Sequence, residues 1–498
     1  MLSLVRSTRN TFASINRTPS EVLSLIPDYL SDAGEGLITL THVCRGWREI
    51  FTSRSPLWAS LDCQDVHKTL TYLERSKSFP LDIHLKRSQY QSYRDDALLL
   101  AVPHVSRLGS LTVDGTASII PALIRRFSCP TPLLKKLEID VGFDHPPPTF
   151  PATLFGGDLS SLRLLSLAGF ATSLPWRNLA NLTTLKLFRV PETVNLPSIT
   201  QLLDFFESAP LLSDIELRLI SVPSNPPPGR VVPIPHLKKL TLLSCTPSFL
   251  LKYLSIPIGA SLVLNFPFGG ESSPILDCLP GNFDDLKNLS HITTISLLLD
   301  EEANYVRFHG PSGELHLCRI FLDEGPSLNV VQSQTFRSFK KFNLSNTQRL
   351  AVTMYDFSPR ETVDSSPIFQ TLLLMDNLRI LTLIECKNLP FIHALNPEKN
   401  NSGTVACPNL EDLTLYIKKP SRFNISELRE MASVRAGRHA KCPSLTIVSL
   451  REMLPKEEVF TLREYFPHVE YKVDVVSPRW DTLPGDPGDW QGEVVTVP

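Results

Sequence analysis

The apolar positions of this 498-residue chain follow two different periods. Near the N-terminus the period is helical. Val22, Leu23, Ile26 and Leu30 share one face, and after a break at 32–36 a second stripe holds Leu37, Leu40, Val43, Cys44, Trp47 and Phe51. Thr18 suits the N-cap of the first helix, Pro19 its first position, and Glu21 completes a capping box. Pro27 predicts a kink or an end to that helix, and Gly46 predicts a turn dividing the second stripe. Ser55 and Pro56 punctuate the close, and Leu57 and Trp58 follow. Two or three such short helices bury little surface alone, so the unit needs a partner, in this chain or another.

Beyond Trp58 helix and strand alternate at short range, which predicts parallel pairing in an α/β fold. Helical runs fall at 66–75, with Val66, Leu70 and Leu73 inward, and at 95–102, 119–127, 199–207, 249–254, 368–375 and 425–434. Strands fall at 80–85, 108–113 and 133–141. From there a unit L-x-x-L-x-L recurs, opening at Leu108, Leu134, Leu162, Leu182, Leu212, Leu237, Ile292, Leu378, Leu410 and Leu445. Its second and third apolar residues, such as Leu240 and Leu242 or Leu413 and Leu415, face one side of a strand. For the last unit this predicts Val448 and Leu450 inward. Pro132, Pro210, Pro235, Pro408 and Pro443 each stand two residues before the opening residue of a unit, and Pro467 stands likewise before Val469. Proline there ends the incoming helix and tolerates the start of a strand. Tyr305 to His309 and Glu314 to Leu317 flank G-P-S-G and predict a hairpin. The number of units between 243 and 377 stays open, and the segment after Ser477 reads as a loop-like tail.

Composition excludes several classes. The formal net charge of -2 leaves no basic field for nucleic acid, and no apolar run is long enough for a membrane span. Nine cysteines without a C-x-x-C favour a reducing compartment, the cytoplasm and/or the nucleus. The leader carries Arg6, Arg9 and Arg17 with no acid before Glu21, the composition of a mitochondrial transit peptide, which competes with a plain flexible leader at 1–14. Phosphate-binding, nucleophile-elbow and zinc-protease motifs are missing, and His439-x-x-Cys442 has no second half, so neither metal nor cofactor is expected. Asp284-Asp285 and Glu301-Glu302 read as solvated faces.

The stretch Pro19-Ser20-Glu21-Val22-Leu23, Ile26, Leu40, Val43-Cys44-Arg45-Gly46-Trp47-Arg48, closing on Leu57-Trp58, resembles an F-box, in wording especially that of mushroom-forming fungi. It departs from the pattern at Thr18, where leucine is usual, and at Pro27 and Gly46. The resemblance covers roughly residues 15–62. It implies a three-helix module docking on the Skp-type adaptor, and through it on the cullin, of an SCF-type ubiquitin ligase. Adaptor contacts are then expected from Pro19, Leu23, Ile26, Leu30, Val43 and Cys44, and module core from Val22, Leu40, Trp47, Leu57 and Trp58.

The recurring unit is similar to leucine-rich repeats, though longer and irregular, so residues 63–476 are expected to form a solenoid with a curved parallel sheet. Cys245 and Cys386 fall where such repeats place Asn or Cys at a turn. Lys136, Glu138, Thr184, Lys186, Phe188, Asp214, Glu216, Arg218, Lys239, Thr241, Asp412, Thr414 and Tyr416 are expected on the open face. That face is mixed in charge and points to a protein target of unknown identity. The chain reads as a non-catalytic substrate receptor; the alternative is a protein-interaction scaffold unconnected with ubiquitin.

Overall fold

The structure is a computed structural model. It describes residues 13–30, 33–86, 95–142, 148–151, 153–170, 179–188, 199–218, 229–243, 250–268, 275–280, 283–300, 303–321, 328–354, 365–384, 388–400, 402–417, 423–450 and 456–474. The leader to residue 12, the tail 477–498, and Cys245 and Cys386 lie outside these. The fold is mixed α/β with mostly parallel strands. It divides into two compact units, Met1–Pro197 with Ser208–Leu212, and Ser198–Glu207 with Ser213–Pro498. The division therefore falls within the repeat region and not at the end of the N-terminal helices.

In the first unit the helices Ala33–Val43 and Arg45–Ser53 precede six strands. These are β1 (Ser60–Leu61), β2 (Leu81–Lys86), β3 (Leu108–Asp114), β4 (Lys136–Asp140), β5 (Leu164–Ala168) and β6 (Thr184–Phe188). They pair in parallel in chain order, with helices Val66–Ser76, Asp95–Ala101 and Ile120–Arg126 between the earlier ones. In the helix Val66–Ser76 the buried side chains are Thr69, Tyr72, Leu73 and Ser76. Leu70, expected inward, is exposed, because Thr69 and Tyr72 take the inner face with Leu73.

The second unit opens with β7 (Asp214–Arg218), β8 (Val232–Pro233), β9 (Lys239–Leu243), β10 (Leu254–Ser255) and β11 (Ser261–Phe268). Then come β12 (Thr294–Leu299), β13 (Ala303–Gly310), β14 (Gly313–Phe321) and β15 (Arg349–Met354). The series ends with β16 (Ile380–Ile384), β17 (Asp412–Ile417), β18 (Ser444–Leu450) and β19 (His468–Asp474). Pairing runs β7-β9-β11-β14-β13-β12 and on through β15 to β19 in order. All these pairs are parallel except those of β13, which is antiparallel to both neighbours. β8 and β10 pair separately, so Leu254 opens a strand and does not close a helix. The predicted hairpin is present as β13 and β14. At its turn Gly313 has φ +135, and a Cβ there would stand 2.5 Å from the Ala260 carbonyl oxygen, so only glycine fits.

Most recurring units are built alike. The opening residue sits in a tight turn, where the N–H of Leu134 donates to Thr131 O at 3.0 Å, that of Leu378 to Met375 O at 3.0 Å and that of Leu410 to Cys407 O at 3.2 Å. The next N–H joins the neighbouring strand, as in Glu411 to Arg379 O at 2.8 Å. Strands therefore begin two residues later than the leucine pattern alone suggests. Pro132, Pro235 and Pro408 occupy the second turn position, where a fixed φ favours the turn. Their role is turn formation, not strand initiation. Pro443 differs. In register Leu445 and Ile447 stand beside Leu413 and Leu415, so the inward pair is Leu445 and Ile447 and the opening residue is Cys442. Val448 lies on the opposite face, contrary to the expected phase. Pro443 takes the strand-entry site, and Ser444 supplies the ladder N–H to Glu411 O at 3.0 Å.

One regularity had not been anticipated. Asn181, Asn377 and Asn409 each precede an opening leucine. Their side-chain amides donate to the previous turn, at Ser160 O (2.7 Å), Ser345 O (2.7 Å) and Asp376 O (2.9 Å). Carbonyls that the strands do not reach are satisfied this way.

Candidate functional site

The N-terminal module is assembled by backbone economy more than by capping. Its first helical turn, Ser20–Leu23, follows Pro19 as N-cap and has no side-chain cap, so the box expected from Thr18 and Glu21 does not form. The chain continues as a 3-10 turn, Ile26–Tyr29, around Pro27. The second stripe divides at Cys44, whose φ of -158 and ψ of 176 are extended. Gly46, expected to be the turn, lies inside the next helix. The break forms at Cys44 because its carbonyl accepts the Arg48 N–H at 3.0 Å and starts a new helix. Arg48 Nε also donates to Thr41 O at 2.9 Å, tying the two helices together.

Leu23, Leu37, Leu40, Trp47, Phe51 and Trp58 form the module's buried set. Two sequence expectations are reversed here. Leu23, expected as an adaptor contact, is 2% exposed, whereas Val22, expected in the core, is 52% exposed. The helix is a single turn, so a shared face with Ile26 and Leu30 never develops. Of the other expected contacts, Pro19 and Val43 are exposed and Ile26, Leu30 and Cys44 half-buried. Leu57, expected in the core, is also half-buried. Leu25, Ile38 and Tyr29, the last 85% exposed, were missed. For Tyr29 the signal was the interruption at Pro27, which turns the following side chains off the helical stripe.

The sheet faces carry the remaining polar chemistry. In the first unit Lys136 Nζ lies 2.9 Å from Glu138, and His84 Nε2 lies 3.1 Å from Asp82. In the second unit Glu216 pairs with Arg218 at 2.6 Å, and Thr241, expected open, is buried. A denser cluster surrounds Glu314 on β14. Its Oε2 stands 3.1 Å from His316 Nε2, 3.8 Å from Arg307 Nη2 and 3.9 Å from His309 Nδ1, and Ser261 Oγ donates to its Oε1 at 2.7 Å. His316 and Arg307 are only 7% and 9% exposed. The hydrogen bond from His316, with those from Ser261 and the nearby charges, outweighs burial and lowers the Glu314 pKa to about 2. These residues come from three strands, so their sequence separation hides the cluster.

Such an arrangement orients charge around one carboxylate. Burial pushes the Cys318 thiol up to about 11 and those of Cys63 and Cys407 to about 12, against the low values reactive thiols need. Cys44, Cys63, Cys129, Cys318, Cys407 and Cys442 are unbridged. Cys442 Sγ–H donates to Ser444 O at 3.3 Å, and no group of three His, Cys, Asp or Glu side chains among the described residues is placed to hold a metal. No described helix is long and apolar enough to cross a membrane.

No protein-family model matches the sequence, and no curated protein matches it. A crystal structure of a protein from Bacteroides fragilis is similar over 82% of this chain and 77% of its own, at 10% identity. Its TM-score of 0.20 is too low to bear on fold or function.

Proposed function

We propose that this chain is the substrate-recognition subunit of an SCF-type ubiquitin ligase. Residues 15–62 form the F-box that docks on a Skp-type adaptor, and through it on the cullin. The region 63–476 is a leucine-rich-repeat-like solenoid with a curved sheet, whose open face holds a protein target. The chain does no bond chemistry; tethering raises the target's concentration at the charged conjugating enzyme. It works in the cytoplasm and/or nucleus.

One observation carries this reading. Val22, Leu25, Tyr29, Ile38 and Val43 are exposed within a small helical module that already has its own buried set. A module this small exposing so many large apolar side chains has an apolar surface to offer a partner. The test is co-purification of the full chain with a Skp-type adaptor. Val22→Asp/Tyr29→Asp should abolish recovery and leave melting unchanged, since both side chains are exposed. Equal recovery with and without the substitutions would overturn the proposal.

A further inference from the structure

Charge is unevenly spread on the open face of the second unit. The pairing register sets Lys239, Ser261, Glu314, His309, Thr294 and Arg349 in one row across six adjacent strands. The row beside it contains His316 and Arg307 and otherwise only uncharged residues. Three fixed cations thus face one carboxylate, in a chain whose formal net charge is -2. The excess stops on either side. β7 brings Asp214 and the paired Glu216 and Arg218, and β16 to β18 bring Ile380, Asp412 and a run of hydroxyl residues.

The cations are not equivalent. Arg307 and His316 lie low on the sheet and converge on the Glu314 carboxylate. Lys239 and Arg349 are exposed and make no ion pair among the described residues. They stand five strand spacings apart, about 24 Å at ~4.8 Å per strand. An extended chain of about seven residues covers that length.

We propose that this face binds an acidic, extended peptide segment of a partner protein, with Lys239 and Arg349 taking its carboxylates on either side of the Glu314 cluster. Glu314 already shows what the centre accepts, a carboxylate held by Arg and His donors. Acids at both borders, Asp214 and Asp412, limit the patch to a short segment and oppose a long polyanion. The proposal does not depend on the N-terminal module.

The test is fluorescence anisotropy of the full chain with a labelled oligoglutamate peptide of about eight residues, at low ionic strength. An oligoserine peptide and a short oligothymidylate are run beside it. Oligoglutamate should bind and oligoserine should not. Lys239→Ser/Arg349→Ser should weaken binding about tenfold or more without changing the melting temperature. Lys135→Ser/Lys340→Ser, which removes exposed lysines elsewhere, should leave binding intact. Absent oligoglutamate binding, or equal affinity in the Lys239/Arg349 variant, would overturn the proposal. Preferential oligothymidylate binding lost in that variant would also overturn it, by assigning the face to nucleic acid.

Discussion

The indole N–H of Trp58 donates to the backbone carbonyl of Phe51 at 2.8 Å. The ring meets Tyr72 edge-on at 4.9 Å, and the Arg75 guanidinium lies 4.2 Å from its centroid. Trp58 therefore joins the last helix of the N-terminal module to the helix Val66–Ser76, and no flexible linker separates them. Trp58→Ala should cost ~3–5 kcal/mol through the void it leaves. Trp58→Phe should cost less, chiefly the ~1–3 kcal/mol of an unpaired Phe51 carbonyl. Thermal melting should rank wild type above Phe above Ala; an Ala variant melting with wild type would show that the joint is not packed.

Val22 is exposed and its neighbour Leu23 buried, so under the proposed F-box reading the pair separates docking from folding. Leu23→Ala should destabilise by ~2–5 kcal/mol. Val22→Ser should change stability by no more than about 0.5 kcal/mol while weakening adaptor binding about tenfold. Melting and binding measured on the same two variants check this. Similar melting losses in both would place Val22 in the core after all.

The inward leucines of the strands were legible because a period of two has one phase that buries them, as Leu240, Leu242, Leu413 and Leu415 do. The phase failed at β18, where Leu445, Ile447, Val448 and Leu450 offer two apolar readings and only pairing with Leu413 and Leu415 chooses. Strand order at β11-β14-β13-β12-β15 was not legible either, since a hairpin can insert facing either neighbour without altering its own alternation. The same limit hid the Glu314 cluster. Ser261 lies 53 residues from Glu314 and reaches it only because β11 pairs with β14. The asparagine rungs left a readable trace, an Asn-Leu pair at 181, 377 and 409, but a side chain bonding across turns has no period to reveal it.

Arg435 is buried in the helix Ile425–Gly437, where its guanidinium meets backbone carbonyls. It donates to Ala406 O at 2.7 Å, Cys407 O at 2.8 Å and Leu395 O at 3.4 Å. Burial lowers its pKa, and the three carbonyls hold the charge in place. Arg435→Met should keep most of the volume but remove the guanidinium donors to Ala406 O and Leu395 O and leave Cys407 O with the Leu410 N–H alone, costing on the order of 3 kcal/mol. Lysine cannot reproduce the planar fork and should not rescue. Limited proteolysis should show faster cleavage between 396 and 407 in both variants; an unchanged pattern would mean that Arg435 does not pin this segment.

Glu314 gives the acid limb of stability a specific origin. Its pKa is depressed from 4.5 to about 2, first by the hydrogen bond from His316, then by that from Ser261 and by the charges of His316 and Arg307, against desolvation. A carboxyl with a depressed folded-state pKa stabilises the fold above its unfolded value and loses that contribution as the pH falls through the folded one. The stability due to Glu314 should thus be complete above 4.5 and vanish progressively toward 2. Other carboxylates titrate in the same range, so the informative quantity is the difference between wild type and Glu314→Gln. By denaturant unfolding the gap should be widest near neutral pH and close on acidification. Ser261→Ala removes one of the hydrogen bonds that hold the carboxylate ionised, so in that background the gap should close at higher pH. A gap that stayed constant with pH would mean that the substitution acts through shape, and that the ionised carboxylate contributes nothing to the fold.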